Sequence, residues 1–202
     1  MAIFISGKGS NMMALIDDMK KEKDHPGQPK LVVSNNTNAD GLVFAEQNCV
    51  ETFSFNSVKG QDSYIFEEKT LHVLNEKKID VICLAGFMKI LSENFIKRFS
   101  KPILNIHPSL LPPFRGLNTH LRVLKAGCLI HGATVHQITE KVDEGQILGQ
   151  TVIKIPENCT AKQLREVLLP KEHLLYKRVL REFLIKNGKK VLTINSVDDI
   201  QN

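Results

Sequence analysis

The stretch NIHPSLLPPFRG, residues 105–116, ends an apolar run with an amide, an imidazole and three prolines. Polar side chains at the end of a buried strand must be hydrogen-bonded or solvated, so two readings compete. In one, Asn105 and His107 cap and pin a proline-rich turn. In the other they aim donors at a reacting group, because residues two apart in an extended strand project to the same side. His107 then suits a general acid or a charged donor to a developing oxyanion, and Asn105 can donate an amide hydrogen to the same oxygen. Asp143 lies on a glycine-containing loop and can orient that imidazole and favour its charged form; its alternative is an ordinary turn aspartate.

A second candidate is SGKGSN, residues 6–11, which follows a strand and opens a helix. Unpaired backbone N–H groups and the positive end of the helix dipole favour a phosphate at such a place. The stretch is neither a Walker A loop nor a full G-x-G-x-x-G, and a plain tight turn competes with phosphate binding. His131 and His136 lack metal-ligand spacing, and His25, His72, His120 and His173 sit in polar or helical contexts, so structural or surface roles are the default for all six. No G-x-S-x-G elbow occurs and no cysteine has an obvious local partner. The chemistry expected is direct transfer or proton transfer, without a covalent enzyme intermediate.

The elements that must position these groups alternate strand and helix, the α/β signature. Ala2–Ile5 reads as a strand, followed by a helix with Met12, Leu15, Ile16 and Met19 at helical spacing. Leu31–Ser34 is a second strand, a helix covers 42–48, and 52–55 is a third strand. Tyr64, Leu71 and Leu74 mark a helix, and VICLAG, residues 81–86, is the kind of apolar run buried on both faces of a parallel sheet. After a short helix with Phe95, Ile96 and Phe99, ILNIH is another buried strand, which Pro108, Pro112 and Pro113 forbid from continuing. Asn105 and His107 thus fall at a strand's carboxyl end, where open α/β sheets bind ligands. ATVHQITE and QILGQTVIKI read as a strand pair joined through KVDEG and more antiparallel in character. Thr160 and Gln163 form a capping box for a long helix with Leu164, Val167, Leu168 and Leu175, stopping near Gly188.

A chain of 202 residues with 42% hydrophobic content fits one domain, residues 1–202, with a substantial core. No signal-like N-terminus and no long apolar run occur, which points to a soluble, cytoplasmic protein with no membrane partner. Cys49, Cys83, Cys128 and Cys159 are too far apart for a metal or redox pair and read as buried or partly buried free thiols. The net charge of +5 comes from lysines and arginines spread along the chain beside acids, which argues against nucleic acid and permits a mild field favouring an anionic small molecule.

The motifs ISGKGSN, LAGFMKIL, NIHPSLLP, HGATVH, the D-x-G at Asp143 and EHLLY at Glu172, taken in that order, resemble those of the phosphoribosylglycinamide formyltransferases of purine biosynthesis. The resemblance implies a Rossmann-like formyltransferase fold, with a mostly parallel central sheet, helices on both faces and an antiparallel C-terminal part. It also implies glycinamide ribonucleotide (GAR) as acceptor and 10-formyltetrahydrofolate as donor, with no metal, in a monomer or homodimer. By the same resemblance Gly9, Ser10 and Asn11 hold the GAR phosphate and Glu172 lies near its amine. Met88, Lys89, Ile90 and Leu91 match the folate-binding stretch, and the loop carrying Thr139, Glu140 and Asp143 closes on the pterin, with Asn105 also facing the folate. Asn105, His107 and Asp143 match the catalytic trio.

The chain departs from the family pattern at Asn118, where a histidine is common, at Arg115 and Gln146, where proline is frequent, and near Gln61, where a donor-binding arginine falls. Pro170, inside the pattern of the long helix, is expected either to break or kink it between about Val167 and Lys171 or, the favoured reading, to start a fresh helix whose N-terminus holds Glu172 as an anion. FRG after the proline turn is also reminiscent of methionyl-tRNA formyltransferases and formyltetrahydrofolate deformylases, against which the chain length is expected to decide. A non-catalytic nucleotide-phosphate binding module is the reading from a different class.

Overall fold

The computed structural model describes residues 1–55, 62–186 and 193–194, so Gln61 and the stop expected near Gly188 lie outside the described residues. The chain divides into two compact units, Met1–Leu104 and Asn105–Asn202.

In the first unit the strand order is β3-β2-β1-β4. The strands β1 (Ala2–Ile5), β2 (Leu31–Ser34), β3 (Glu51–Ser54) and β4 (Ile82–Leu84) are all parallel to their neighbours. The residues of β1, β2 and β4 are buried throughout, as a parallel sheet with covered faces requires. The helix α1 (Ser10–Lys21) packs on β1 and buries Met12, Leu15, Ile16 and Met19, the stripe its periodicity predicts. Helix α2 (Asp40–Gln47) covers β2 and β3, while α3 (Asp62–Glu76) packs on α4 (Glu93–Phe99). Phe4, Phe66, Phe87, Phe95 and Phe99 stack or meet edge to face in the core of this unit. The α/β class and the parallel character of this half agree with the sequence; VICLAG supplies only a three-residue strand, after which Ala85 still donates its N–H to the Phe4 carbonyl.

Strand β5 (Ile103–His107) carries the chain into the second unit, where the order is β5-β6-β7-β8. The strands β6 (Ile130–Gln137) and β7 (Ile147–Lys154) are antiparallel, as expected, with one irregularity: Val135 faces Gly149 but His136 faces Ile147. The extra residue in β7 is Leu148, a bulge that re-aims the strand end beside it. A short strand β8 (Thr193–Ile194), parallel to β7, and helix α5 (Thr119–Lys125) are elements without a periodic signal in the sequence. Each is too short to show one.

Helix α6 (Ala161–Ile185) packs on β6, β7 and α5. Its start is the expected capping box: Thr160 Oγ1 accepts the Gln163 N–H, and the Gln163 side chain accepts the Thr160 N–H at 2.9 Å. The expected break at Pro170 is absent. Pro170 lies inside one continuous helix, so no fresh N-terminus forms beside Glu172. A mid-helix proline costs one backbone bond and crowds the preceding turn; burial of Leu164, Leu168, Leu175, Tyr176, Val179, Leu180 and Phe183 on one side holds the helix together. All four cysteines are free thiols; Cys83 is buried in β4 and Cys128 and Cys159 are half-buried, but Cys49, expected to be at least partly buried, is exposed just after α2.

Candidate active site

In the first unit the chain leaves β1 and turns through Gly9, which has φ +66° and stands at the N-cap of α1. A Cβ there would lie 3.1 Å from both Ile5 Cγ2 and Met12 Cε, so glycine answers both the left-handed backbone and the tight packing. The Gly9 cap has no side chain to bond the start of α1, and the first turn of a helix presents backbone N–H groups outward from its end. Asn11 is buried and Ser10 partly exposed. The turn also lies beside the carboxyl ends of the parallel strands: Ser6 Oγ donates to Asn35 Oδ1 at 2.6 Å and accepts the Met88 N–H at 2.8 Å.

That last bond anchors the segment after β4. Leu91 is buried, whereas Met88 and Ile90 are 68% and 73% exposed, two apolar side chains open to solvent that suit an aromatic ligand surface. Lys89 Nζ sits 5.0 Å from the centre of the Phe66 ring, and the segment is closed by Ser92, whose N–H donates to buried Glu67 at 2.9 Å.

In the second unit Asn105 and His107 share one side of β5, and Pro108 ends the strand. The proline turn that follows is held from β6 and β7. Thr134 Oγ1 donates to the Ser109 carbonyl at 2.7 Å and accepts the Leu111 N–H at 3.0 Å, and Gln150 Nε2 donates to the Leu111 carbonyl at 2.9 Å. The turn in turn holds His107. Its Nε2 lies 3.0 Å from the Phe114 carbonyl, which can only accept, so Nε2 carries a proton. Its Nδ1 faces Asp143 Oδ2 at 3.5 Å, beyond the ordinary N–H···O range, and is the ring nitrogen left to serve another group.

Asp143 is buried, adopts φ +53°, and accepts the Gly116 N–H through Oδ2 at 2.8 Å. Two positions on, Gly145 is fixed by contact: a Cβ there would stand 1.6 Å from the Gln137 carbonyl oxygen. Asp143 Oδ1 lies 3.5 Å from Nε2 of His136, a fully buried residue on β6. His136 Nδ1 lies 3.3 Å from the Gln137 carbonyl and therefore donates to it. Its Nε2 is then an acceptor, and Asn105 Nδ2 donates to it at 3.1 Å. Burial lowers the His136 pKa, which Asp143 raises in part, and the neutral ring matches the tautomer these bonds require.

The structure thus gathers Asn105, His107 and Asp143 around His136, a residue whose sequence context suggests only a structural role. The available signal is the alternation in HGATVH, which puts Thr134 and His136 on one side of β6. His120 Nδ1 and His131 Nε2 form a second pair at 3.0 Å; burial pushes the His131 pKa down to about 4 and lowers that of His120. Thr139 and Glu140 are on the loop leading to Asp143, where Thr139 Oγ1 donates to the Lys141 carbonyl. Glu172 is buried on α6.

A model of the formyl transferase family matches residues 1–180. The chain belongs to the formyl transferase family. Among family relatives it is 36% identical to the phosphoribosylglycinamide formyltransferase of Haemophilus influenzae, over 90% of this chain and 85% of that protein. It is 39% identical over 93% of its length to the human trifunctional purine biosynthetic protein adenosine-3, of which it spans only 18%. Two solved family structures superpose closely. The phosphoribosylglycinamide formyltransferase of Brucella melitensis matches at TM-score 0.85 and 43% identity, over 91% of this chain and 94% of that one. The glycinamide ribonucleotide transformylase 1 of Symbiobacterium toebii matches at TM-score 0.87 and 33% identity, over 92% and 87%. These matches establish the formyltransferase fold that the motifs implied, and the enzymes compared are transferases. Among the described residues no helix is long and apolar enough to cross a membrane.

Proposed function

We propose that this chain, acting as one domain in the cytoplasm, transfers the formyl group of 10-formyltetrahydrofolate to the amine of GAR, giving N-formyl-GAR. The observation that carries the reading is the cluster at the end of β5, where Asn105 and His107 meet Asp143 and His136. The uncharged amine attacks the formyl carbon, a new C–N bond forms, and the carbonyl oxygen becomes an oxyanion. The second hydrogen on Asn105 Nδ2 and a proton on His107 Nδ1 stabilise that oxygen. Collapse breaks the bond from the formyl carbon to the folate nitrogen, while the proton lost by the attacking amine passes, through water near Asp143, to that leaving nitrogen.

The α1 N-terminus at Gly9, Ser10 and Asn11 binds the GAR phosphate through backbone N–H groups. Glu172 attracts the substrate amine from a buried position on α6 and not from a fresh helix start. The segment Met88, Lys89, Ile90 and Leu91 and the loop of Thr139, Glu140 and Asp143 receive the folate, the exposed Met88 and Ile90 offering apolar surface to its rings. No metal takes part, no nucleic acid or membrane is a partner, and the protein works as a monomer or homodimer.

The test is to mix the purified protein with GAR and 10-formyltetrahydrofolate and follow the formyl group. Appearance of formyl-GAR supports this reading. Release of formate without transfer makes the protein a deformylase, and retention of the formyl group on folate makes it a binding module.

A further inference from the structure

Two exposed loops of the second unit meet beside the buried cluster, and a pair of charges joins them. Arg115 Nη1 donates to Glu144 Oε1, with the two side chains 42% and 36% exposed, and Lys141 Nζ lies 3.8 Å from the other Glu144 oxygen. Each partner is the chain neighbour of a group that touches the cluster. Arg115 sits between Phe114, whose carbonyl accepts from His107, and Gly116, whose N–H donates to Asp143. Glu144 directly follows Asp143. The Arg115 backbone is itself held by Arg122, whose Nη1 donates to the Arg115 carbonyl and lies 3.5 Å from that of Leu117, with its guanidinium 5.7 Å from the Phe114 ring centre.

We propose that Arg115 and Glu144 are positioning residues: their ion pair clasps the turn after β5 to the Asp143 loop and so fixes the Asp143 carboxylate between His107 and His136. An exposed ion pair adds little to overall stability. Here its leverage is geometric, because Asp143 has a positive φ and its two ring contacts both stand at 3.5 Å, so a small loop displacement removes them. The Gly116–Asp143 bond is the second stitch of the same seam, and the ion pair keeps it registered from outside.

The clasp rests on the formyl-transfer reading for its kinetic test but not for its structural one. In Arg115→Ala, Glu144→Ala and the double variant, kcat for formyl transfer is expected to fall about five-fold in each, the scale of one exposed pair expressed in the rate. The double variant should be no slower than either single, with KM for GAR and the thermal midpoint unchanged. Independently of activity, hydrogen exchange at the Gly116 amide should accelerate in all three variants and respond to added salt only in the parental chain. Parental kcat in both single variants, or a double variant that loses the product of the two single effects, overturns the clasp. So does unchanged Gly116 exchange. A parental chain that transfers no formyl group overturns the functional reading alone, and the Gly116 amide then judges the clasp.

Discussion

Alanine at Asn105 or at His107 removes a donor from the end of β5 without emptying the core, since neither residue belongs to the apolar packing of the sheet. Each variant should stay folded and lose on the order of 10²–10³ in kcat, the usual cost of one donor to a transition-state oxygen. A folded variant that turns over at the parental rate removes that residue from the mechanism. The bond from Asn105 to His136 adds a titration test. Burial is the main cause of the lowered His136 pKa and Asp143 works against it. Asp143→Asn, which removes the raising charge, should therefore lower the His136 pKa further, and an NMR titration showing a rise or no change excludes that coupling. Asn105 and His107 are legible in the sequence because the strand period acts locally, whereas Asp143 is picked out by its match to the family motif, its loop chemistry alone fitting an ordinary turn aspartate. His136 is legible in neither way. Its place in the cluster depends on the Leu148 bulge in the facing strand, which neither motif nor period displays, and its tautomer depends on the carbonyl of the adjoining Gln137.

At the scale of elements, the turn into α1 invites a comparison between backbone and side chain. A bulky residue at Gly9 must adopt a left-handed φ and crowd Ile5 and Met12, moving the N–H groups that open the helix. Gly9→Val should weaken GAR binding far more than Ser10→Ala, as read by calorimetry; equal and negligible effects would place the phosphate elsewhere. Amphipathic helices such as α1 can be read in advance because their burial repeats about every 3.6 residues, and strands such as β1 because a short apolar run is bounded by glycines. Helix α6 shows where such reasoning stops. Pro170 is a local signal against helix, and it is overridden by packing along the face of Leu168 and Leu175, which no single turn of sequence displays.

Across the whole molecule, the histidines that resist protonation lie in the second unit. His120, His131, His136 and His173 all have pKa values lowered chiefly by burial, His131 to about 4. Below about pH 6.5 the unfolded chain takes up protons at these rings that the folded chain refuses, in the case of His131 down to about pH 4. Stability is full above the unfolded value and falls as the pH drops through that window. Urea midpoints followed from pH 7.5 to 4.5 should decline accordingly, with exchange protection lost in β6 and α6 as they do; a flat profile would contradict neutral burial. Gly145 carries a different consequence, one written in the gene. Every change to the first or second base of a glycine codon replaces the residue, and at position 145 the smallest replacement drives a carbon into a carbonyl oxygen. At Gly7 the same change meets nothing within 4 Å. Among randomly mutated copies selected for folding, codon 7 should therefore accumulate alanine while codon 145 varies only at its silent third base.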